Sequence, residues 1–232
     1  MNIALFMNLL LAHLIGDFVL QTGKTCTNKQ EKHWRSPFHY IHAAIVLVLS
    51  WLASLDVSFI WYALVIGLTH FAIDMWKTYH GENVKWFVLD QTMHVLVLLG
   101  IVFVWTRSHC FWSGTAVLTC WYVPVAVAAL ICWKPANIFI KLVLKHYSVN
   151  MPEDKENGFN VGALIGTIER WLILIFVCLQ RYEALGLLIA AKSIIRFGDK
   201  ETAKTEYVLA GTLLSILIAV LAGMMVIGVL KP

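Results

Sequence analysis

Eight runs of apolar residues, each about 15–24 residues long, follow one another along the chain. A helix needs about 20 apolar residues to cross the hydrocarbon core of a bilayer, so each run predicts a membrane span. The first and seventh runs are short, which puts the predicted count at about eight, within limits of seven and nine. The fold class is therefore all-α, a polytopic bundle of transmembrane helices. The runs lie at 3–20, 39–55, 57–76, 86–105, 114–133, 161–180, 183–197 and 206–229.

The composition also indicates a membrane protein. Hydrophobic residues make up 59% of the 232 residues and charged residues 14%, and the mean hydropathy is +0.74. A soluble domain of this length would rarely be so apolar. No Lys or Arg precedes Lys24, so we expect the first apolar run to be a span rather than a cleaved signal peptide.

The positive charges are distributed unequally between the loops. If the spans alternate in direction, thirteen Lys and Arg residues lie on one side, counted with Arg196 at the end of the seventh run, and three lie on the other. Cytosolic loops of membrane proteins carry the excess of Lys and Arg, so the thirteen predict the cytosolic side and both termini are expected outside. The predicted cytosolic loops are 21–38, 77–85, 134–160 and 198–205.

Three segments are expected along the chain. Residues 1–105 form a four-span bundle that carries His and Asp, and 106–160 contain the fifth span followed by a cytosolic loop. The first part of that loop alternates apolar residues with Lys141, Lys145 and His146, which predicts an amphipathic helix on the membrane surface. Residues 161–232 form a three-span bundle with charged residues inside it.

Histidine and aspartate recur at helical spacing within the first four spans. Three pairs are four residues apart and one pair of histidines is three apart, so the members of each pair share one helix face. Spans one and three carry their pairs near their ends, and spans two and four near their beginnings, which puts all four pairs at a similar depth on the cytosolic side. The pairs are His13/Asp17, His39/His42, His70/Asp74 and Asp90/His94.

Imidazole and carboxylate together are the ligands of divalent transition metals, and helix-borne pairs are a common way to present them. Zinc is the first expectation, with Mn or Fe(II) as alternatives, and one or two ions would use the donors. A structural network of interhelical hydrogen bonds or a proton path is the competing interpretation. The predicted ligands are His13, Asp17, His42, His70, Asp74, Asp90 and His94.

Other residues are expected to support this site. Gln21, Gln91 and His39 would contact the ligands and orient them. Any carboxylate among Asp17, Asp74 and Asp90 that does not bind metal would serve as the general base.

A second charged cluster falls in the last three spans, where Glu169, Arg170, Lys192, Arg196 and Glu206 lie within or beside apolar runs. Two interpretations stay open. The charges form an internal salt-bridge network, or the cations form an anion pocket that, with Lys77, binds a phosphate group. Lys192 and Arg196 would alternatively extend to lipid headgroups.

The motifs "AHLIGDFVLQ", "HYIH", "HFAIDMWK" and "LDQTMH" resemble those of a bacterial integral-membrane family known only as a domain of unknown function, with the patterns HLxGDFxxQ, HxxxDxxK and DQxxH. The segments "GTIERWLIL", "AAKSIIRFG" and "EYVLAGTLLS" resemble the tail of its longer members. The resemblance implies a multi-pass protein of the bacterial inner membrane. Its signature positions would be His13, Asp17, Gln21, His70, Asp74, Lys77, Asp90, Gln91 and His94. The His/Asp pattern is more loosely similar to inner-membrane proteins labelled metal-dependent hydrolases and to zinc hydrolases of the ceramidase and adiponectin-receptor type.

These observations favour an intramembrane metal-dependent hydrolase or transferase. Its substrate would be a lipid-linked or phosphorylated small molecule that reaches the site from the cytosolic face. The alternative is a transporter or sensor in which the same cluster binds a metal ion or a proton, and a structural partner subunit with a polar core is a third possibility. Membrane lipids are the expected surroundings, no nucleic acid partner is expected, and the oligomeric state stays open.

Overall fold

The computed structural model describes residues 2–108, 121–147, 161–196 and 202–230, without the side chains of 193–196 and 202–208. All regular structure in these residues is helical, which confirms the all-α class. The helices are α1 (Ile3–Leu14), α2 (Gly23–Lys32), α3 (Pro37–Ser54), α4 (Ile60–Thr78), α5 (Val84–Ser108), α6 (Tyr122–Ile131), α7 (Lys134–His146), α8 (Val161–Cys178), α9 (Tyr182–Arg196) and α10 (Thr202–Leu230). A π-helical segment, Ile15–Leu20, continues α1, and 3₁₀ turns precede α3 and α4 at His33–Arg35 and Val57–Phe59.

Seven stretches of the described chain are long and apolar enough to cross a membrane, so the multi-pass character is supported, while the count of eight stays a prediction. The predicted span 183–197 corresponds to α9, whose 15 residues extend only about 22 Å, less than the hydrocarbon thickness. The seven candidates are Ile3–Leu20, Pro37–Ser54, Val57–Thr78, Val84–Ser108, Tyr122–His146, Val161–Cys178 and Leu209–Leu230.

The fifth candidate span differs from the predicted one. It comprises α6 and α7 and ends at His146, whereas residues 109–120, which include the start of the predicted span 114–133, lie outside the described part. The segment predicted as an amphipathic surface helix is α7. One face packs in its unit, where Ala136 and Leu144 are buried, while Lys141, Lys145 and His146 are exposed, and its position at the membrane surface stays a prediction.

The chain divides into two compact units, Met1–Val127 and Ala128–Pro232. In the first unit, α1, α3, α4 and α5 enclose an apolar core. The backbones of α3 and α4 approach closely at Gly67, where a Cβ atom would lie 2.9 Å from Leu47 Cβ. The core consists of Leu5, Leu9, Val46, Phe59, Ala63, Ile66, Leu98, Val102 and Trp105.

Local sequence explains where these helices begin. Asn2 caps α1 by accepting a 3.0 Å hydrogen bond from Leu5 N, and Pro37 stands in the first turn of α3, where its missing N–H is not needed. Thr22 and Thr25 form a reciprocal capping box at the start of α2. Two residues separate the π-helical continuation of α1 from the start of α2. The polar segment 23–32 can therefore fold back against the spans.

Candidate metal centre

The seven predicted ligands lie together in the first unit. They come from α1, its π-helical continuation, α3, α4 and α5, and none of their side chains is more than 11% exposed. Within this cluster, three triads have donor atoms that all lie within 4.8 Å of one another. The triads are Asp17–His42–His70, Asp74–Asp90–His94 and His13–His70–His94.

The Asp17–His42–His70 triad has the tightest geometry. Asp17 Oδ1 is 3.2 Å from His42 Nε2 and 3.3 Å from His70 Nε2, and the two Nε2 atoms are 2.9 Å apart. Ligand atoms bound at about 2.0–2.1 Å to a tetrahedral ion are themselves about 3.3 Å apart. The three donor atoms are therefore spaced as a zinc-sized ion requires.

The Asp74–Asp90–His94 triad is wider. His94 Nε2 is 3.7 Å from Asp74 Oδ1 and 3.6 Å from Asp90 Oδ1. The other oxygen of Asp74, Oδ2, faces the first triad at 3.5 Å from His42 Nε2. The Asp74 carboxylate thus lies between the two triads, and His70, whose ring stacks on His94 with centroids 4.2 Å apart, joins them.

Three buried donor atoms in these triads have no hydrogen-bond partner. They are Asp17 Oδ1, Asp90 Oδ1 and His94 Nε2. Asp17 Oδ1 lies close to two imidazole rings but accepts no well-aligned hydrogen bond from them. A buried polar atom without a partner is costly. An ion bound beside Asp17 Oδ1 would satisfy that atom, whereas Asp90 Oδ1 and His94 Nε2 lie 3.6 Å from each other.

Two lysines contact the carboxylates of the cluster. Lys29, on α2, donates a hydrogen bond of 2.7 Å to Asp74 Oδ2 and is only 4% exposed. Lys77, at the end of α4, lies 2.5 Å from Asp90 Oδ2, and its side chain is 38% exposed. The sequence motifs include Lys77 but not Lys29, because the polar neighbours Asn28 and Gln30 give the segment no pattern that separates a buried lysine from exposed ones.

The residues predicted to support the ligands are distributed unevenly. Gln91 lies within the cluster, 3.3 Å from His13 Nε2 and 3.0 Å from Asp90 Oδ2. His39 is buried and its ring faces Phe71. Gln21 instead lies beside Cys26, whose thiol pKa is raised by burial and lowered in part by this neighbour.

The sequence did not predict the π-helical segment. Asp17 lies within it, and His13 Nε2 remains 3.8 Å from Asp17 Oδ2 across the change of helix type. Gly16 allows close contact with α3, since a Cβ atom there would be 3.0 Å from Val46 Cγ2. π-helical turns occur frequently at functional sites.

In the second unit, the charged residues do not all meet. Lys192 and Glu169 form an ion pair, whereas Arg170 contacts only neutral oxygens among the described residues. Its guanidinium donates hydrogen bonds to four oxygens: the Cys132 carbonyl at 2.6 Å, Asn137 Oδ1 at 2.6 Å, Thr167 Oγ1 at 3.1 Å and Ser215 Oγ at 3.2 Å. The side chains of Arg196 and Glu206 lie outside the described part, so the anion pocket stays a prediction.

Comparison with known proteins gives one result. Residues 5–121 match the model of a family described as "Protein of unknown function (DUF3307)", and this range contains the whole His/Asp cluster. No curated protein and no solved structure matches the chain. The match confirms the resemblance to a family of unknown function, whereas the similarity of the C-terminal segments and the similarity to hydrolases stay predictions. Since the match spans half of the 232 residues, the chain belongs to the DUF3307 family.

Proposed function

We propose that the protein is an intramembrane metal-dependent hydrolase or transferase that acts at the cytosolic face. The observation that carries the proposal is the Asp17–His42–His70 triad, whose donor atoms are 2.9–3.3 Å apart and include an oxygen without a hydrogen-bond partner. Neutral imidazole and carboxylate in this arrangement suit Zn first, and Mn or Fe(II) as alternatives.

The residues around the triad suit hydrolytic chemistry. A divalent ion bound there would supply Lewis-acid activation of a phosphoryl or acyl oxygen and of water. Asp90 would then act as the general base, because Lys77 holds its Oδ2 while Oδ1 has no hydrogen-bond partner and can accept a proton. Gln91, bonded to His13 and Asp90, keeps both side chains in place.

The substrate class follows from the exposed part of the site. Lys77 is the one lysine of the cluster with a partly exposed side chain, and its ammonium would meet an anionic group that arrives from the cytosol. A phosphorylated or lipid-linked small molecule carries such a group beside a part that partitions into the bilayer.

The proposal also includes the membrane in which the protein lies and its orientation there. The protein would lie in the bacterial inner membrane with about eight spans and both termini outside, as the Lys and Arg distribution predicts. The site would then lie near the cytosolic surface, while the apolar core of Leu5, Leu9 and Val102 would separate it from the outer surface.

A second candidate function is metal sensing. Burial favours it, since His13, His70 and His94 are each at most 3% exposed and a sensor needs no open path for a substrate. The apolar core counts against transport, because an ion path would need polar groups that continue toward the outer side.

An activity assay separates the enzyme from the sensor. The full-length protein in detergent, loaded with Zn, Mn or Fe(II), would be tested on p-nitrophenyl phosphate, a p-nitrophenyl acyl ester and a long-chain alkyl phosphate. We expect metal-dependent turnover of at least one compound and a loss of 100-fold or more, about 2.7 kcal/mol, in Asp90→Asn. Lys85→Gln, at an exposed position, is the control. Absence of turnover in metal-loaded protein would leave sensing as the better account.

A further inference from the structure

Two of the three carboxylates in the cluster already have a cation beside them. Lys29 contacts Asp74 Oδ2 at 2.7 Å, and Lys77 contacts Asp90 Oδ2 at 2.5 Å. Asp17 differs, because its only charged or chargeable neighbours within ion-pair distance in the described residues are histidines. The two triads that contain carboxylates therefore differ in charge.

This difference matters because the groups are buried, where an uncompensated charge is costly. Metal binding requires neutral His42 and His70. If the other histidines are counted as neutral too, three carboxylates and two ammonium groups leave one negative charge. One divalent ion changes this to one positive charge, and two divalent ions change it to three positive charges. The second ion would have to enter the triad whose two carboxylates the lysines already neutralise.

We infer that the centre holds one divalent ion, bound by Asp17, His42 and His70, and that Lys29 and Lys77 replace a second ion at the Asp74–Asp90–His94 triad. The inference rests on the proposed function, since it requires that the cluster binds metal. It makes the two lysines determinants of how many ions bind. The ammonium groups hold Oδ2 of Asp74 and Asp90, so the wider triad needs no ion to balance its carboxylates.

The donor-atom distances support this assignment, in addition to the charge balance. The donor spacings of 2.9–3.3 Å around Asp17 match a tetrahedral ion, whereas His94 Nε2 lies 3.6 and 3.7 Å from the carboxylates of the wider triad. Lys29 is fixed in place, because α2 is capped by Thr22 and attached at its other end by the His33–Thr78 contact of 3.2 Å.

Metal counting tests the inference on the full-length protein. After incubation with excess Zn²⁺ and gel filtration, elemental analysis should give one ion per wild-type chain. Asp17→Asn should lose the ion. The double variant Lys77→Met/Asp90→Asn, which removes one charge of each sign, should keep it. Circular dichroism and gel filtration of each variant confirm that the fold is retained.

Removal of both lysines gives the reverse test. In Lys29→Met/Lys77→Met the carboxylates of Asp74 and Asp90 lose their cations, and the count should rise from one ion to two. The matched control is Lys32→Met/Lys85→Met, which removes two exposed lysines and should leave the count at one. If Lys29→Met/Lys77→Met does not fold, the metal counts of the wild-type protein, Asp17→Asn and Lys77→Met/Asp90→Asn still test the inference.

The possible failures are distinguishable. Two ions in the wild-type protein would overturn the inference and leave the metal site standing. Metal that persists in Asp17→Asn but disappears in Lys77→Met/Asp90→Asn would also overturn it, because the ion would then belong to the other triad. A wild-type protein without any bound metal would overturn the proposed function together with this inference.

Discussion

Arg170 brings a permanent positive charge into the interior of the second unit, where it is 1% exposed. Its partners are neutral oxygens on α7, α8 and α10 and the carbonyl of Cys132, which follows the last residue of α6. The negative end of the α6 dipole suits a cation at this place. These contacts indicate that Arg170 joins α7, α8 and α10 to the turn that follows α6.

Replacement of Arg170 should therefore affect stability. Arg170→Met leaves several buried oxygens without a donor, and we expect a loss of about 2–4 kcal/mol in the free energy of unfolding. Thermal unfolding in detergent measures it as a lower melting temperature. Arg181→Met, at an exposed position, is the control and should change stability by less than about 0.5 kcal/mol. Equal melting temperatures for the two variants would contradict the structural role of Arg170.

At the same scale, sequence and structure agree on the His/Asp pairs and differ on their partners. The spacing of His13 from Asp17 and of His70 from Asp74 predicted shared helix faces, and those residues do meet. The sequence could not predict that Asp17 lies nearer to His42 and His70 than to His13. That depends on the rotation of each helix about its axis, which packing between helices determines.

At the scale of elements, the approach of α3 to α4 depends on one glycine. A Cβ atom at Gly67 would lie 2.9 Å from Leu47 Cβ and 3.4 Å from Ala43 O, so the two helices would have to separate. At Gly100, on α5, a Cβ atom would meet nothing within 4 Å. The two glycines form a matched pair, because both lie within long apolar helices.

Alanine substitution should have opposite effects at the two positions. Gly67→Ala should lower the free energy of unfolding by about 1–3 kcal/mol through overpacking. Gly100→Ala should leave it unchanged or raise it by up to about 1 kcal/mol, because alanine favours the helix. Thermal unfolding of both variants provides the measurement. A Gly67→Ala protein as stable as Gly100→Ala would show that α3 and α4 are not in this contact.

The apolar runs predicted the main helices because a helix that crosses a bilayer needs about 20 mostly apolar residues. They also separated α6 from α7, because the predicted fifth span ends at residue 133 and the amphipathic helix was expected after it. Pro135 lies at the start of α7, and the backbone turns at Trp133, so one candidate span contains two helices. The π-helical Ile15–Leu20 and the buried Lys29 of α2 were not predicted, since neither changes the pattern of apolar residues.

For the whole molecule, the Lys and Arg distribution predicts which side of the membrane each loop faces. Single cysteines in a cysteine-free protein test it with an impermeant thiol reagent in intact cells. Cysteines in place of Lys32 and Lys85 should be protected because their loops are expected in the cytosol, and one in place of Ser58 should react. All three positions are exposed. Reaction at Lys32 and Lys85 with protection at Ser58 would reverse the orientation.

The C-terminus tests the span count. With eight spans it lies outside, and an alkaline phosphatase fused after Pro232 should be active. An inactive fusion, together with protection at Lys32, would favour an odd count in which α9 does not cross the membrane.

The central claim is that the cluster in the first unit binds a transition metal, and metal content tests it most directly. Full-length protein would be incubated separately with Zn, Mn and Fe(II), freed of unbound metal by gel filtration, and analysed for metal per chain. We predict one retained ion in the wild-type protein and in His146→Gln, whose histidine is exposed, and a loss of affinity of at least about 10- to 100-fold in His70→Gln. A wild-type protein that stays empty with all three metals, or a His70→Gln protein that binds as tightly as wild type, would contradict the claim.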